Sequence, residues 1–390
     1  MLPVEINLMR IVAQGLVDAT AAPTPTEVVR RQLAIQGQRV PSIPHAIVVR
    51  GGANRITKPD VDAAFDNREL VRSWPFRGTL HVTTADDHHW LRAVMMHKMA
   101  GWLRRIEALG ADADTTAKAT AAADALLDEK PALSRKDLTD AWAAVGISDD
   151  PRMTRSLLQA LIVEGQLVQG PRLATEHLYV DARDLPDEFH GPAGAEGAAK
   201  TSPGYRRTLA EIARRFAVSH GPATARDLAR WSGMTLTEAK RALEDAVDIT
   251  NDPAYAVDPA AAHVPIMRAT LEGNKLTEAP AGTPEALYFR GDLGDLVNEN
   301  EKAARRALYL PAFDELHVGY GDRTCLTDEP GEFLICPSRN GIFRPIVVDR
   351  GRMVAVDYGR GDLRPAPGTR QSKRLTADTE RAIARISQLI

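Results

Sequence analysis

Two glutamines, Gln36 and Gln38, stand two apart across Gly37, at the end of an apolar helical turn and just before Pro41. Glycine ends helices and proline prevents their continuation, so the run 30–50 predicts a helix stop at Gly37 with both amides on a rigid connection. A carboxamide is neutral and nearly non-basic. It cannot strip a proton from water, but it can orient a water by accepting one of its hydrogen bonds and can set partial negative charge beside a developing cation. Between Gln32 and Val49 there is no lysine to form a Schiff base. Taken alone, the pair better suits a plainer role, two amides capping a helix C-terminus.

Other side chains have types that could do chemistry. His81, His88 and His89 with Asp86 and Asp87 in HVTTADDHHW resemble a metal cluster in composition. Adjacent positions on a helix point to different faces, so no metal is expected, and Asp86 reads as a helix cap. Asp314 in PAFDELHVGY reads as a buried aspartate that fixes a loop rather than a second carboxylate of a site. Arg339, Asn340 and Arg344 fall on an expected hairpin, either a plain sheet edge or an insertion into a DNA groove.

The elements that must carry these residues follow a recurring pattern. Residues 204–258 read as a long amphipathic helix, a helix opening at Thr224, a third opening at Thr235 after Gly233, and strand-like DITND and YAVDP. An apolar stripe through Leu228, Trp231, Leu236, Ala239 and Leu243 would join the last two helices. A second copy spans 112–181, with three helices closed by QLVQGP and EHLYVDA. The first copy has helices near 4–20, 26–35, 43–53 and 58–67, then a strand pair LVRSWPF and GTLHVTT around Arg77-Gly78. After about residue 265 strand-like runs dominate, among them ALYFR, RALYL, ELHVGY, EFLIC and RMVAVDY, with hairpin signals at Asn340-Gly341 and Asp349-Arg350-Gly351.

The fold class expected is α+β: tandem winged helices with a C-terminal, mostly antiparallel β-subdomain. The domains are a first winged helix at 1–110, a second at 111–190, a linker at 191–204, a third winged helix at 205–265, the β-subdomain at 266–365 and a helix at 366–390.

Composition bounds the partners. The 390 residues carry 44% hydrophobic and 26% charged residues, as in an ordinary globular protein, with no apolar run long enough for a membrane span and no signal-peptide core at the start. Two cysteines fit a reducing cytoplasm. The net charge is -3, yet residues 1–110 hold 14 Lys/Arg against 10 Asp/Glu. Arg30, Arg31, Arg39, Arg50, Arg55 and Lys58 flank the glutamines, and a local basic concavity can hold phosphates even in an acidic chain.

Five landmarks now stand in order: QLAIQGQ, DVDAAFDNRELVRSWPFRGTLHVTTADD, GPATARDLARWSG, LPAFDELHVGYGDR and NGIFRPIVV. In them the chain resembles the winged-helix DNA glycosylases of the AlkZ type, over most of residues 1–360. The resemblance implies unhooking of interstrand crosslinks and removal of bulky alkylated purines, with a motif of glutamine, a variable residue, then glutamine or aspartate. It places Gln36 and Gln38 as the catalytic pair, with glycine where the family usually has a larger apolar residue. Two neutral amides suffice only where the base leaves readily, as a cationic N7- or N3-alkylpurine does. The expectation is therefore a monofunctional, monomeric enzyme of the cytoplasm and nucleoid, without cofactor, acting on duplex DNA that carries alkylated bases or crosslinks. Arg39, Arg55, Arg77, His81, Asn340 and Arg344 are the expected DNA contacts. The alternatives are a DNA-binding regulator or catalytically silent relative, and a protein-interaction scaffold.

Overall fold

A computed structural model describes residues 1–186, 203–251 and 264–390. The chain divides into two compact units. Unit 1 comprises Met1–Ile35, Pro41–Val61 and Leu209–Ile390; unit 2 comprises Gln36–Val40 and Asp62–Thr208.

Unit 2 is built on a five-stranded sheet. Strands Leu70–Phe76 and Thr79–Thr84 form a hairpin whose two-residue turn, Arg77-Gly78, has φ of 59° and 66°. Both positive angles suit a turn that matches strand twist, as the sequence predicts. The long helix Ala85–Glu107 follows at once, and its cap is Thr84, whose hydroxyl accepts from the Asp87 N–H at 3.2 Å. Asp86 is therefore not the cap. It lies one residue inside the helix.

The second helical set also sits in unit 2. Helix Ala113–Leu127 is followed by Arg135–Ala144, which opens on a reciprocal Ser134/Asp137 cap, and by Pro151–Val163, capped by Asp150. Trp142, Leu138, Leu157 and Leu161 fill the core among them. The wing is the hairpin Leu167–Leu173 with Glu176–Asp181. The two hairpins merge into one antiparallel sheet at a single register pair, Arg72 opposite Gln169.

Unit 1 holds the expected helix-turn-helix. Helix Ala225–Ser232 starts on a Thr224/Asp227 capping box and ends at Gly233, φ 85°. Helix Leu236–Asn251 packs against it, and Thr235 and Glu238 close its start with reciprocal hydrogen bonds. Leu228, Trp231, Ala239 and Leu243 are buried as the stripe requires, with Leu236 half-buried. The wing differs from expectation. DITND continues the helix through Asn251 because Thr250 bonds back to the Ala246 carbonyl and receives the Ile266 N–H. YAVDP lies outside the described residues, as does the linker 191–204 up to residue 202, while Pro203–His220 is a helix. The sheet here orders Ala223–Thr224, Leu287–Arg290, Ile266–Glu272 and Lys275–Glu278.

The C-terminal part of unit 1 is less strand-rich than its sequence suggests. Leu308–Leu310, Ile346–Asp349, Arg352–Asp357 and Leu363–Pro365 form an antiparallel meander, with the expected turn at Arg350-Gly351. ELHVGY and EFLIC are instead the helices Glu315–Val318 and Glu329–Ile335, because Asp314 and Asp328 cap their first turns and Pro330 suits the second one's start. Helix Leu293–Ala304 was not anticipated. The N-terminal helix Val4–Ala13 places Ile11 and Val12 in one core with Leu293, Leu310, Ile346 and Val356. The tail forms helix Lys373–Ser387 as its spacing predicts.

Arg50 leaves the basic surface altogether. It is 1% exposed, bonded bidentately to Asp314 at 2.8 and 3.0 Å and to Gln14 at 2.7 Å, so the expected loop-fixing role of Asp314 is what the structure shows. Removing one partner of a buried pair strands the other charge. Asp314→Ala is expected to cost roughly 3–5 kcal/mol of stability in denaturant unfolding, and the double replacement Arg50→Met/Asp314→Leu markedly less.

Candidate functional site

The glutamines sit where a helix turns sharply into a strand. Helix Pro25–Gln32 is capped by Thr24 and stops well before Gly37. What stops it is Leu33 at φ 64°, a strained angle for a branched-chain residue, held by a side chain with no exposed surface. The chain then runs into strand Ile35–Gln36, at the edge of the unit 2 sheet beside Thr79–Thr84. The expected helix stop at Gly37 is thus corrected. Gly37 lies beyond the helix.

Three hydrogen bonds position the motif. The Gly37 N–H donates to the Leu80 carbonyl at 2.7 Å, the Gly37 carbonyl accepts from Arg72 Nε at 2.7 Å, and Gln38 Oε1 faces the Leu80 N–H at 3.5 Å. Gln36 is half-buried with its amide oxygen inside, while Gln38 and Arg39 are exposed. A Cβ at position 37 would meet the His81 backbone at 3.2–3.3 Å. Glycine at the centre of the motif lets the segment lie this close to its neighbouring strand.

Sequence reasoning assigned no role to Arg72. It is 6% exposed, and its other contacts are neutral: Nη1 donates to Gln169 Oε1, whose amide in turn donates to the Tyr179 hydroxyl at 3.2 Å. Burial pulls its guanidinium down to about 10, still charged at neutral pH. A lone arginine inside the apolar run Leu70–Phe76 was the available signal.

His81, an expected DNA contact, lies on strand Thr79–Thr84. Its side chain is fully buried: Nδ1 donates to the Thr79 carbonyl at 2.9 Å and Nε2 meets Arg77 Nη2 at 3.1 Å. Burial, then the Arg77 charge, holds its pKa well below the usual 6.5, so the ring is neutral and accepts from Arg77. His81 thus meets Arg77 and the Thr79 carbonyl and has no exposed surface. His88 Nδ1 bonds Ser73 Oγ at 3.1 Å and His89 Nε2 the Ala182 carbonyl at 2.8 Å, so the three rings serve different partners.

Unit 2 thus brings Gln36, Gln38, Arg39, Arg77 and His81 to one edge of its sheet and the adjoining turn. Arg55, Asn340 and Arg344 belong to unit 1. Arg55 is exposed at φ 52° after the turn Gly52–Asn54. Asn340 is not on a hairpin; it lies in an irregular loop and accepts the Ile342 N–H at 3.0 Å, beside an Ile342 that is 65% exposed. Arg344 stacks on Tyr358 at 4.0 Å. Of the other basic flanks, Arg31 pairs with Glu27 at 2.8 Å.

Two outcomes follow from these contacts. Arg72→Met leaves the Gly37 carbonyl and Gln169 without their donor, at a cost of roughly 1–3 kcal/mol; exchange of the Gly37 amide is expected to quicken about tenfold per 1.4 kcal/mol lost locally. Acid should also weaken the chain. His81, His88 and His177, the last held at about 4, are depressed by burial. Below pH 6.5 the unfolded chain binds protons that the folded unit refuses, so stability present at neutral pH is lost as pH falls, by up to about 1.4 kcal/mol per histidine per pH unit. Unfolding midpoints between pH 7 and 5 should show this slope, flattened in His88→Asn.

Among the described residues no helix is long and apolar enough to cross a membrane. None of the curated proteins matches the sequence. A solved structure, the DNA glycosylase AlkZ of Streptomyces sahachiroi, superimposes with a TM-score of 0.67 at 16% identity, over 99% of this chain and 96% of that one. The likeness confirms the mixed helical and antiparallel architecture. The family model described as DNA glycosylase AlkZ-like matches residues 29–388, which takes in the glutamine motif, the Arg72 hairpin and both units. This chain belongs to the AlkZ-like DNA glycosylase family.

Proposed function

We propose that this DNA glycosylase hydrolyses the N-glycosidic bond of cationic alkylated purines, interstrand crosslinks of such purines included, as a monofunctional and monomeric enzyme. The observation that carries the reading is the motif itself: two neutral amides, Gln36 and Gln38, on a backbone fixed by Arg72 and Leu80. Water adds to the sugar carbon as the carbon–nitrogen bond breaks, the electron pair leaves with the base, and the water's surplus proton passes to solvent. An alkylated purine already carries positive charge, so it departs as a neutral base without a general acid. The exposed Gln38 amide orients the water, and the Gln36 amide must turn its buried oxygen outward to face the oxocarbenium charge that develops on the sugar. No lysine lies between Gln32 and Val49, so the motif offers no amine to hold the opened sugar.

Arg39 and Arg77 from unit 2, with Arg55, Asn340 and Arg344 from unit 1, are the proposed phosphate and groove contacts. His81 acts through Arg77. The exposed loop carrying Asn340 and Ile342 has the polar and apolar tips that enter a minor groove.

Replacing either glutamine by alanine should slow base release by on the order of 10² to 10⁴ in single-turnover assays while duplex affinity barely changes. N7-methylguanine should be released and uracil should not. Wild-type protein that binds the damaged duplex yet leaves N7-methylguanine intact over hours would overturn the catalytic reading in favour of a binding protein.

A further inference from the structure

Unit 1 carries a strongly basic cavity of about 490 Å³ that the glutamine chemistry does not use. Lys302, Arg305 and Arg306 enter it from the end of helix Leu293–Ala304 and the turn beyond, Arg350 from the turn of the meander, and Arg374, Arg381 and Arg385 from the C-terminal helix. The acids nearby are fewer. Glu301 pairs with Arg305 at 2.8 Å, Asp349 with Arg374 at 2.8 Å, and Asp378 is shared by Arg374 and Arg381. Among the described residues Lys302, Arg306, Arg350 and Arg385 have no acidic partner, and all four are exposed.

This surplus cannot be put down to composition, because the chain as a whole is at -3. Cations crowded into one concavity repel one another, and concave walls focus their field, so the site gains most when an anion enters. The volume exceeds that of ten waters, room for a nucleotide-sized anion and far more than a simple ion needs. Guanidinium forks suit phosphate oxygens in particular. We propose that this cavity is a phosphate-binding site, separate from the glutamine motif, which takes either the backbone of a nucleic acid or a free phosphate compound. The assignment stands whether or not Gln36 and Gln38 are catalytic.

The test uses the full chain with Arg306→Gln, Arg350→Asn and Arg385→Gln combined; asparagine suits the positive φ of 51° at position 350. Two ligands are titrated, undamaged duplex DNA over a range of salt and inorganic pyrophosphate. If backbone phosphate is the ligand, the slope of log affinity against log salt should fall by about 0.9 per lost contact, up to about 2.7, with no change in sequence preference. If the source is a free phosphate, pyrophosphate binding is lost and the duplex slope stays. Wild-type values for both ligands in a variant with an unchanged unfolding midpoint would overturn the site. Should the triple variant not fold, Arg306→Gln alone is read the same way against a slope change of about 0.9. Base release under saturating enzyme should be unaltered throughout.

Discussion

A single buried guanidinium holds the candidate catalytic segment. Arg72 stands at the one register pair that fuses the two hairpins of unit 2, and it spends its donors on neutral acceptors, the Gly37 carbonyl and the Gln169 amide. A buried cation without a carboxylate is expensive, as its lowered pKa reflects. That cost is offset only if the acceptors stay in place. The demand runs both ways: the sheet junction needs the Gly37 carbonyl, and the motif is positioned by the sheet junction.

The same arrangement bears on the choice of amides at positions 36 and 38. Arg39 follows Gln38 directly in sequence, and Arg72 donates to the carbonyl of Gly37 between the two glutamines. A carboxylate beside arginines attracts their guanidinium groups, which commits lone pairs and offsets part of its charge. An amide is neutral and leaves neighbouring cations their charge.

How much of this could be read from the sequence depended on the range of the interaction. Thr224, Thr235, Gly233, Arg77-Gly78 and Arg350-Gly351 act within four residues, and each marked its element correctly. Local signals misled where two competed. ELHVGY and EFLIC have strand-like alternation, but the aspartates ahead of them cap helical turns. Gly37 looked like a helix stop, whereas the burial of Leu33 had already turned the chain. Gln36 and Gln38 could be picked out as a candidate pair. Their support could not, because Arg72 and Gln169 are 97 positions apart, as sequence separation in that bond shows, and Arg50 meets Asp314 across 264. Only the fold brings such partners together.

The division of the chain passes through the motif. Five residues, Gln36–Val40, belong to unit 2, while the chain on either side, to Ile35 and from Pro41, belongs to unit 1. Leu33 with its strained φ and Pro41 with its fixed ring are stiff points just outside the segment, so little slack remains for it to wander. Its placement is then decided by the three contacts it makes to the sheet, through Leu80 and Arg72. The close fit of Gly37 over the His81 backbone belongs to the same constraint, since a side chain there would lift the segment from those partners by a few tenths of an ångström. A motif built of weak, neutral groups can act only if it is held still, and here a glycine, a buried arginine and two stiff turns hold it.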